Sequence, residues 1–332
     1  MKIGTINFHR SYNYGALMVT YSLLNYLKKI GIQAHPIDYF PEHHTSMYPI
    51  KDEAYDKFIN KYLKPFYSPE EHFDLIIYGA DTIWEYYQGY GYDGAYWGDE
   101  TLKSDKKITF SASGTMKNFS NESDNLFKKN LDKFSAISVR EDVLRDYIQK
   151  YTKKQVFHTC DPTFLLTKED YSLIIDEQLV KEQYAIVYNR QLGAKLLEAS
   201  ENVQNKTGLH TVVLKGDGCL YECTGKLIRS DIGPAEFLNL IKYSSYVLAA
   251  SFHAVAFSCI FEKNFNTIMK SGAERVESIL RVFGLENRRI QHTDEIDFSD
   301  KIDYQDYNFL KRKNDYIQKS TKYLRDEVEA FK

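Results

Sequence analysis

Short apolar runs and segments of helical periodicity alternate along nearly the whole chain, and this alternation constrains the fold more than any other feature. KIGTINF (2–8), FDLIIYG (73–79), KKITFSAS (106–113), AISVR (136–140), YAIVY (184–188), HTVVLK (210–215), KLIRS (226–230), YVLAAS (246–251) and FNTIM read as strands. Between them Leu17, Tyr21, Leu24 and Leu27 recur at helical spacing. Helices are also expected over 122–134, in EDVLRDYIQK, up to about 207, in PAEFLNLIKY, after His253 and in ERVESILRVF. Gly31 and Gly284 stand just past helical runs, where a left-handed cap is wanted. Continuous apolar strands separated by helices imply parallel sheets covered on both faces. QAHPIDY carries Pro36, which argues against a central strand there.

At 332 residues the chain exceeds one domain of ~150 residues. Residues 165–182 are charged and lack a sheet pattern, so a boundary is placed there. The expectation is an α/β protein with two Rossmann-like domains, 1–170 and 171–302, and a cleft between them. A long helix over 303–332 would follow, with Leu310, Ile317, Leu324, Val328 and Phe331 as its buried stripe. Hydrophobic content of 43% and charged content of 27% exclude a disordered, collagen-like or coiled-coil chain. Lys plus Arg number 43 against 46 Asp plus Glu, so nothing suggests a nucleic-acid partner.

Cys160, Cys219, Cys223 and Cys259 form no Cys-x-x-Cys pair, and their density suits a reducing cytoplasm. MKIGTINFHR lacks the apolar core of a signal peptide. The most apolar stretch, 246–261, is interrupted by Ser251, His253 and Ser258 and is shorter than the ~18 residues of a membrane span. A cytoplasmic location follows, with at most peripheral membrane contact.

In folds of this kind ligands sit beyond the carboxyl ends of the strands. The loop after the first strand carries His9, Arg10, Asn13, Tyr14 and Gly15; it suits a ligand cradle or simply a capped helix, since Asn13 can accept from a free amide. Asp81 follows the third strand as a sugar ligand, a base or another cap, with Trp84 beside it. Arg140 ends a strand and can clamp a carboxylate or phosphate, or pair with Glu141 or Asp161. Asp161, before Pro162, reads as structural, and Lys215 before Gly-Asp-Gly reads as a weak anion loop. His253 follows a buried strand and opens a helix, where amide dipoles suit an acid or base working near neutrality. Arg275 opens another helix near the same edge. No P-loop, GxGxxG, GxSxG or HExxH motif is present, and His43 and His44 lack further ligands at metal spacing.

In order, NFHRSYNYGALM, PIDY, FDLIIYGADTIW, ITFSASG, FSAISVRED, DPTFLL, SDIGPAEFL and SFHAVAFSCIFEKNF resemble the polysaccharide pyruvyl transferase family, from about residue 3 to 270. The resemblance implies a fold similar to GT-B glycosyltransferases. It implies transfer of pyruvate from phosphoenolpyruvate to two hydroxyls of a sugar, giving a cyclic ketal and phosphate. Acceptors would be capsule, exopolysaccharide or cell-wall glycans, often as lipid-linked precursors. No metal or cofactor is implied.

The family's catalytic histidine aligns with His253 and its strand-end arginine with Arg140. Where some members have Arg-Leu-His, this chain has Ser251, Phe252 and His253, so the donor must use other cations such as Arg140, Lys215, Arg275 or Arg10. His9, Arg10, Asn13, Tyr14, Gly15, Asp81 and Trp84 would then face the acceptor. Two rivals remain at this stage: a glycosyltransferase using a nucleotide sugar, and a non-catalytic glycan-binding member of the fold.

Overall fold

The structure, a computed structural model, describes residues 1–11, 13–39, 52–85, 92–188, 196–214, 220–221, 232–269 and 272–330. Strands β1 (Ile3–Ile6), β2 (Ala34–Pro36), β3 (His72–Tyr78) and β4 (Lys103–Thr109) form a parallel sheet in the order β2-β1-β3-β4. Pro36 thus sits on an edge strand, where a missing amide donor costs no ladder bond. The parallel pair β5 (Ile137–Val139) and β6 (Val156–His158) extends this sheet through single bridges, Ile108 to Ala136 and Ala112 to Val139. Helices α1 (Tyr14–Lys29), α2 (Asp52–Tyr62), α3 (Asn121–Asn130), α4 (Asp142–Ile148) and the short α5 (Lys168–Ser172) belong to this half and its exit.

The second half carries β7 (Tyr184–Tyr188), β8 (His210–Leu214), β9 (Leu220–Tyr221), β10 (Tyr246–Ala249) and β11 (Phe265–Thr267), in the order β11-β10-β7-β8-β9. Among the described residues only the β8–β9 pair is antiparallel. Helices α6 (Leu196–Thr207), α7 (Pro234–Tyr243), α8 (Phe252–Ile260) and α9 (Ala273–Phe283) complete it, and α10 (Tyr307–Glu329) ends the chain. Central β7 and β10 are buried along their whole length, which is why their sequences show no polar alternation.

Several limits differ from the sequence reading. The strand expected over 106–113 begins at Lys103 and stops at Thr109, because Ser111 adopts a positive φ of 55° that breaks the extended chain. The helix expected over 122–134 ends at Asn130 and tightens into a 3-10 turn, Leu131–Lys133. The last helix starts at Tyr307, where the Asp306 carboxylate caps the Phe309 amide at 2.9 Å. Leu324 and Val328 are fully buried on it, but Leu310 and Ile317 are only partly buried. Phe309, Tyr316 and Tyr323 take up the rest of the stripe. Phe331, Lys215, Cys219, Cys223, His43, His44 and the strand expected over 226–230 lie outside the described residues.

The two halves share one hydrophobic core. Leu17 and Leu27 of α1 belong to the same cluster of buried side chains as Phe237 of α7 and Phe257 of α8. Tyr14 stacks on Phe237 with ring centroids 4.7 Å apart and planes 8° from parallel, and on Tyr55 of α2 at 5.5 Å. Helix α10 lies across both halves. Phe309 packs on Phe283 of α9, the Ser320 hydroxyl accepts from the Cys160 amide at 2.8 Å, and the Tyr323 hydroxyl donates to the Thr109 carbonyl at 2.9 Å.

A second tie between the halves is ionic: Arg281 of α9 grips Asp142 of α4 with two bonds of 3.0 and 2.7 Å. Partial burial would raise the Asp142 carboxyl, but bonds from Arg281 and the Val143 amide pull it down to about 2. A depressed carboxyl stabilises the fold above its ordinary value of 3.8 and loses that contribution as pH falls through the folded value. Asp142→Asn should therefore lower the melting temperature near neutrality. The gap from wild type should close between pH 4 and 2, roughly the span of the shift. A gap unchanged across that window would show that the carboxylate charge does not hold the halves.

Candidate active site

A cleft of 430 Å³ opens between the halves at the carboxyl ends of their strands. Phe8, Ser11 and Asn13 reach it from the loop after β1, Asp81, Thr82 and Glu85 from the loop after β3, and Thr115 from the loop after β4. Arg140 enters from the end of β5, Ala250, Ser251, Phe252 and His253 from the end of β10, Met269 from beyond β11, and Arg275 from the first turn of α9.

The tightest approach is between Gly15 and His253. Asn13 caps α1, its side-chain oxygen accepting from the Gly15 and Ala16 amides at 2.9 and 3.3 Å. That fixes Gly15 under the His253 ring: a Cβ at position 15 would lie 1.9 Å from His253 Nδ1. Glycine at this place is a steric requirement of the imidazole. His253 is buried in the first turn of α8, and its Nε2 faces Asp161 Oδ2 at 3.6 Å, across the two halves. That separation is too long for a hydrogen bond.

Arg140 lies at the centre of the buried side of the site, only 2% exposed. It donates to Glu141 Oε1 at 2.9 Å, Asp161 Oδ2 at 2.8 Å and Ser113 Oγ at 2.9 Å, and has Asp81 Oδ1 at 3.9 Å. Its guanidinium carbon stands 4.2 Å from the Phe252 ring centre, a cation–π contact made without solvent. Burial opposes the charged guanidinium, yet the surrounding carboxylates push its pKa above even its usual value. The neighbouring acids move in opposite directions. Burial pushes Glu141 up, with Arg140 only partly offsetting it. Burial would also raise Asp161, but His253, Arg140 and the Thr163 amide hold it well below the usual carboxylate range. One guanidinium thus faces three carboxylates, so the alternative of a buried Arg140 ion pair with Glu141 and Asp161 is realised. Arg275 differs. It lines the cleft with no hydrogen bond or ion pair to any described residue, and its Nε is buried and unpaired.

The remaining expected residues divide. Asn13, Asp81, Arg140, Ser251, Phe252, His253 and Arg275 converge on the cleft. Asp81 holds a positive φ of 72° and turns its carboxylate back onto the Thr82 amide at 2.9 Å. His9, Arg10, Tyr14 and Trp84 do not line the cleft. His9 is buried against Asn7 and Asp38, and Arg10 makes two 2.6 Å bonds to Asp38. Tyr14 belongs to the stack between the halves, and Trp84 packs on Trp97, Phe127 and Phe134 in the core. Ser11, Thr82, Glu85, Thr115 and Met269 line the cleft although the sequence reading passed over them. Glu85 accepts from the Thr115 hydroxyl at 2.7 Å and from the Asn118 amide group at 2.6 Å, tying the β3 and β4 loops together. Its signal was available: Glu85 stands four residues past Asp81 in a strand-end loop.

The same architecture recurs in solved structures. A UDP-GlcNAc 2-epimerase from Neisseria meningitidis superposes with a TM-score of 0.55 at 11% identity, covering 99% of this chain and 100% of that one. A protein from Listeria monocytogenes described as a UDP-N-acetylglucosamine 2-epimerase gives 0.55 at 10% identity, with 99% and 96% covered. An uncharacterised protein from Klebsiella pneumoniae gives 0.50 at 15% identity, with 87% and 91% covered. At such identities the likeness defines the class alone: a protein of the GT-B-like fold, with two Rossmann-like halves around a cleft. No functionally curated protein has a significant sequence match to the chain. The family model of polysaccharide pyruvyl transferases matches residues 13–271. The chain belongs to the polysaccharide pyruvyl transferase family, and its activity is pyruvyl transfer in the making of a polysaccharide. Among the described residues no helix is long and apolar enough to cross a membrane.

Proposed function

We propose that the protein transfers pyruvate from phosphoenolpyruvate to two hydroxyls of one sugar residue, forming a cyclic ketal and releasing phosphate. The acceptor is a surface polysaccharide or its lipid-linked precursor, and the reaction takes place in the cytoplasm. Residues 1–170 form the acceptor side and 171–302 the donor side, with 303–332 bracing the two. The observation that carries this reading is the meeting, in a member of this family, of His253 with Arg275, a cation that makes no hydrogen bond or ion pair to a described residue, in one cleft between the halves.

The donor brings a carboxylate and a phosphate. Arg140 is committed to three carboxylates, so Arg275 and the backbone amides near the start of α8 hold most of the donor's charge. His253 takes the proton of the attacking hydroxyl. The donor's methylene carbon gains a proton and becomes a methyl group while its central carbon bonds to the sugar oxygen. The central carbon–oxygen bond to phosphate then breaks, and the second hydroxyl closes the ring. Of the two hydroxyl protons, one is balanced by the new methyl hydrogen and the other leaves with phosphate. Asn13, Asp81 and Glu85 face the acceptor. The fixed guanidinium groups stabilise the developing charge without reorganising.

The first test is thermal stability with phosphoenolpyruvate, with uridine diphosphate and with plain phosphate. A ligand at a hundred times its dissociation constant stabilises by about 2.7 kcal/mol, a shift of a few degrees. A shift specific to phosphoenolpyruvate, followed by phosphate release only when a glycan acceptor is added, is expected. A shift confined to the nucleotide would replace this reading with glycosyl transfer, and no shift with any of them would point to a glycan-binding member. Arg275→Gln should raise KM for phosphoenolpyruvate about 10- to 100-fold, since hydrogen bonds to charged groups are worth about 1.5–3 kcal/mol. An unchanged KM would remove Arg275 from the donor site.

A further inference from the structure

We propose that Asp161 is a positioning residue that fixes the tautomer of His253, so that the nitrogen doing chemistry is Nδ1 and not Nε2. The inference rests on the reading of His253 as the acid–base group.

The geometry leaves little choice. Asp161 receives donors on every side. Its Oδ1 accepts from the Thr163 amide at 3.0 Å and the Thr163 hydroxyl at 2.8 Å, and its Oδ2 accepts from Arg140 at 2.8 Å. His253 Nε2 faces that same Oδ2, sealed from solvent and with no other partner among the described residues. An ionised carboxylate only accepts, so the nitrogen turned to it carries hydrogen; a lone pair there would meet a second lone pair in a dry site. Three hydrogen bonds donated by Arg140 and by the amide and hydroxyl of Thr163 favour the ionised form of Asp161. The neutral ring is therefore the Nε2–H form, and Nδ1 keeps the free lone pair.

Nδ1 is also the nitrogen placed for the task. His253 lines the cleft, yet its Nε2 is buried, so another edge of the ring meets the ligand space. The Nδ1 edge lies over Gly15, in the turn where Asn13 enters the cleft. In this arrangement a sugar hydroxyl passes its proton to Nδ1, and Asp161 steadies the imidazolium that results, with its own proton count unchanged.

Two measurements test this. The first is the imidazole nitrogen NMR signature of His253 in the wild-type protein without substrate, assigned by its loss in His253→Ala. A protonated Nε2 and an unprotonated Nδ1 in the neutral ring are expected, and the opposite tautomer would overturn the proposal. The second is Asp161→Asn, checked for folding by its melting transition. An amide sets a nitrogen donor against either the Thr163 pair or the Arg140–His253 pair, so the ring loses its fixed partner. The expected result is a loss in kcat of roughly 10²–10⁴-fold with KM for phosphoenolpyruvate within a few fold, and a weakened Nε2–H preference in the spectrum. Loss of folding alone, with the tautomer of the wild-type ring reversed, would assign Asp161 a purely structural place. The NMR measurement needs no substrate. A wrong donor or acceptor would silence the kinetics and leave the tautomer result standing.

Discussion

Gly15→Ala is expected to remove most turnover while replacing no polar or charged side chain. The added Cβ would fall 1.9 Å from His253 Nδ1, 2.3 Å from Cγ and 2.7 Å from Cε1, inside any tolerable contact. The backbone cannot retreat, because Asn13 holds the Gly15 amide at 2.9 Å and the adjoining Tyr14 is locked in the stack with Phe237. The imidazole must swing, and it then leaves Asp161. A displaced acid–base group lowers kcat by about 10²–10⁴-fold. Overpacking a filled site costs roughly 1–3 kcal/mol, partly offset by the better helix propensity of alanine, worth about 1 kcal/mol. Turnover and urea unfolding of Gly15→Ala, His253→Ala and the double variant separate the terms. In the double variant the clash has no partner, so the stability deficit of Gly15→Ala should vanish while activity stays at the His253→Ala level. Wild-type turnover in Gly15→Ala would mean that the ring is not held where the structure puts it.

Arg140→Met has the largest expected effect on stability. The guanidinium is the common partner of Glu141, Asp161 and, more distantly, Asp81, and two of these acids are almost wholly buried. Breaking a buried ion pair from one side costs about 3–5 kcal/mol, because the remaining charge stays in a dry site. The sign of the pH dependence follows. Without the cation Glu141, already pushed up by burial, rises further and Asp161 loses one of the groups that hold it down, so the variant gives up stability as pH rises that the native protein keeps. The deficit of Arg140→Met should therefore be largest at pH 8 and shrink on approach to the carboxylate range. Urea midpoints at pH 8 and pH 5 measure it. A deficit under about 1 kcal/mol and flat with pH would show that the acids are already neutral in the native protein.

Much of this arrangement was legible in the chain. Pro36 marked an edge strand, the unbroken apolar runs of β7 and β10 marked central ones, and residues at the carboxyl ends of strands pointed to the cleft. Asn13, Asp81, Arg140 and His253 were singled out by their strand-end places, Arg140 and His253 also by the family resemblance, and all four line the cleft. The failures have a common cause. His9, Arg10, Tyr14 and Trp84 sit in the same loops, yet their side chains turn elsewhere because of partners far off in sequence. Arg10 is claimed by Asp38 and Trp84 by Trp97 and Phe127. Asp161 looked structural because nothing in the sequence brings it to His253; only the closing of one half on the other does so. Periodicity reports which face of an element is buried, but it does not report which distant residue waits there.

The unbroken core between the halves also bears on how such a protein can be rebuilt. Two Rossmann-like halves suggest exchangeable modules, one for each substrate. Here Tyr14 of the first half rests on Phe237 of the second, Gly15 is cut away to admit His253, and α10 is stitched to both. A chimaera taking its second half from another family member would inherit mismatched surfaces at each of these places. New acceptor specificity is therefore better sought by single changes at Ser11, Thr82, Glu85 and Thr115, which line the cleft without joining the seam.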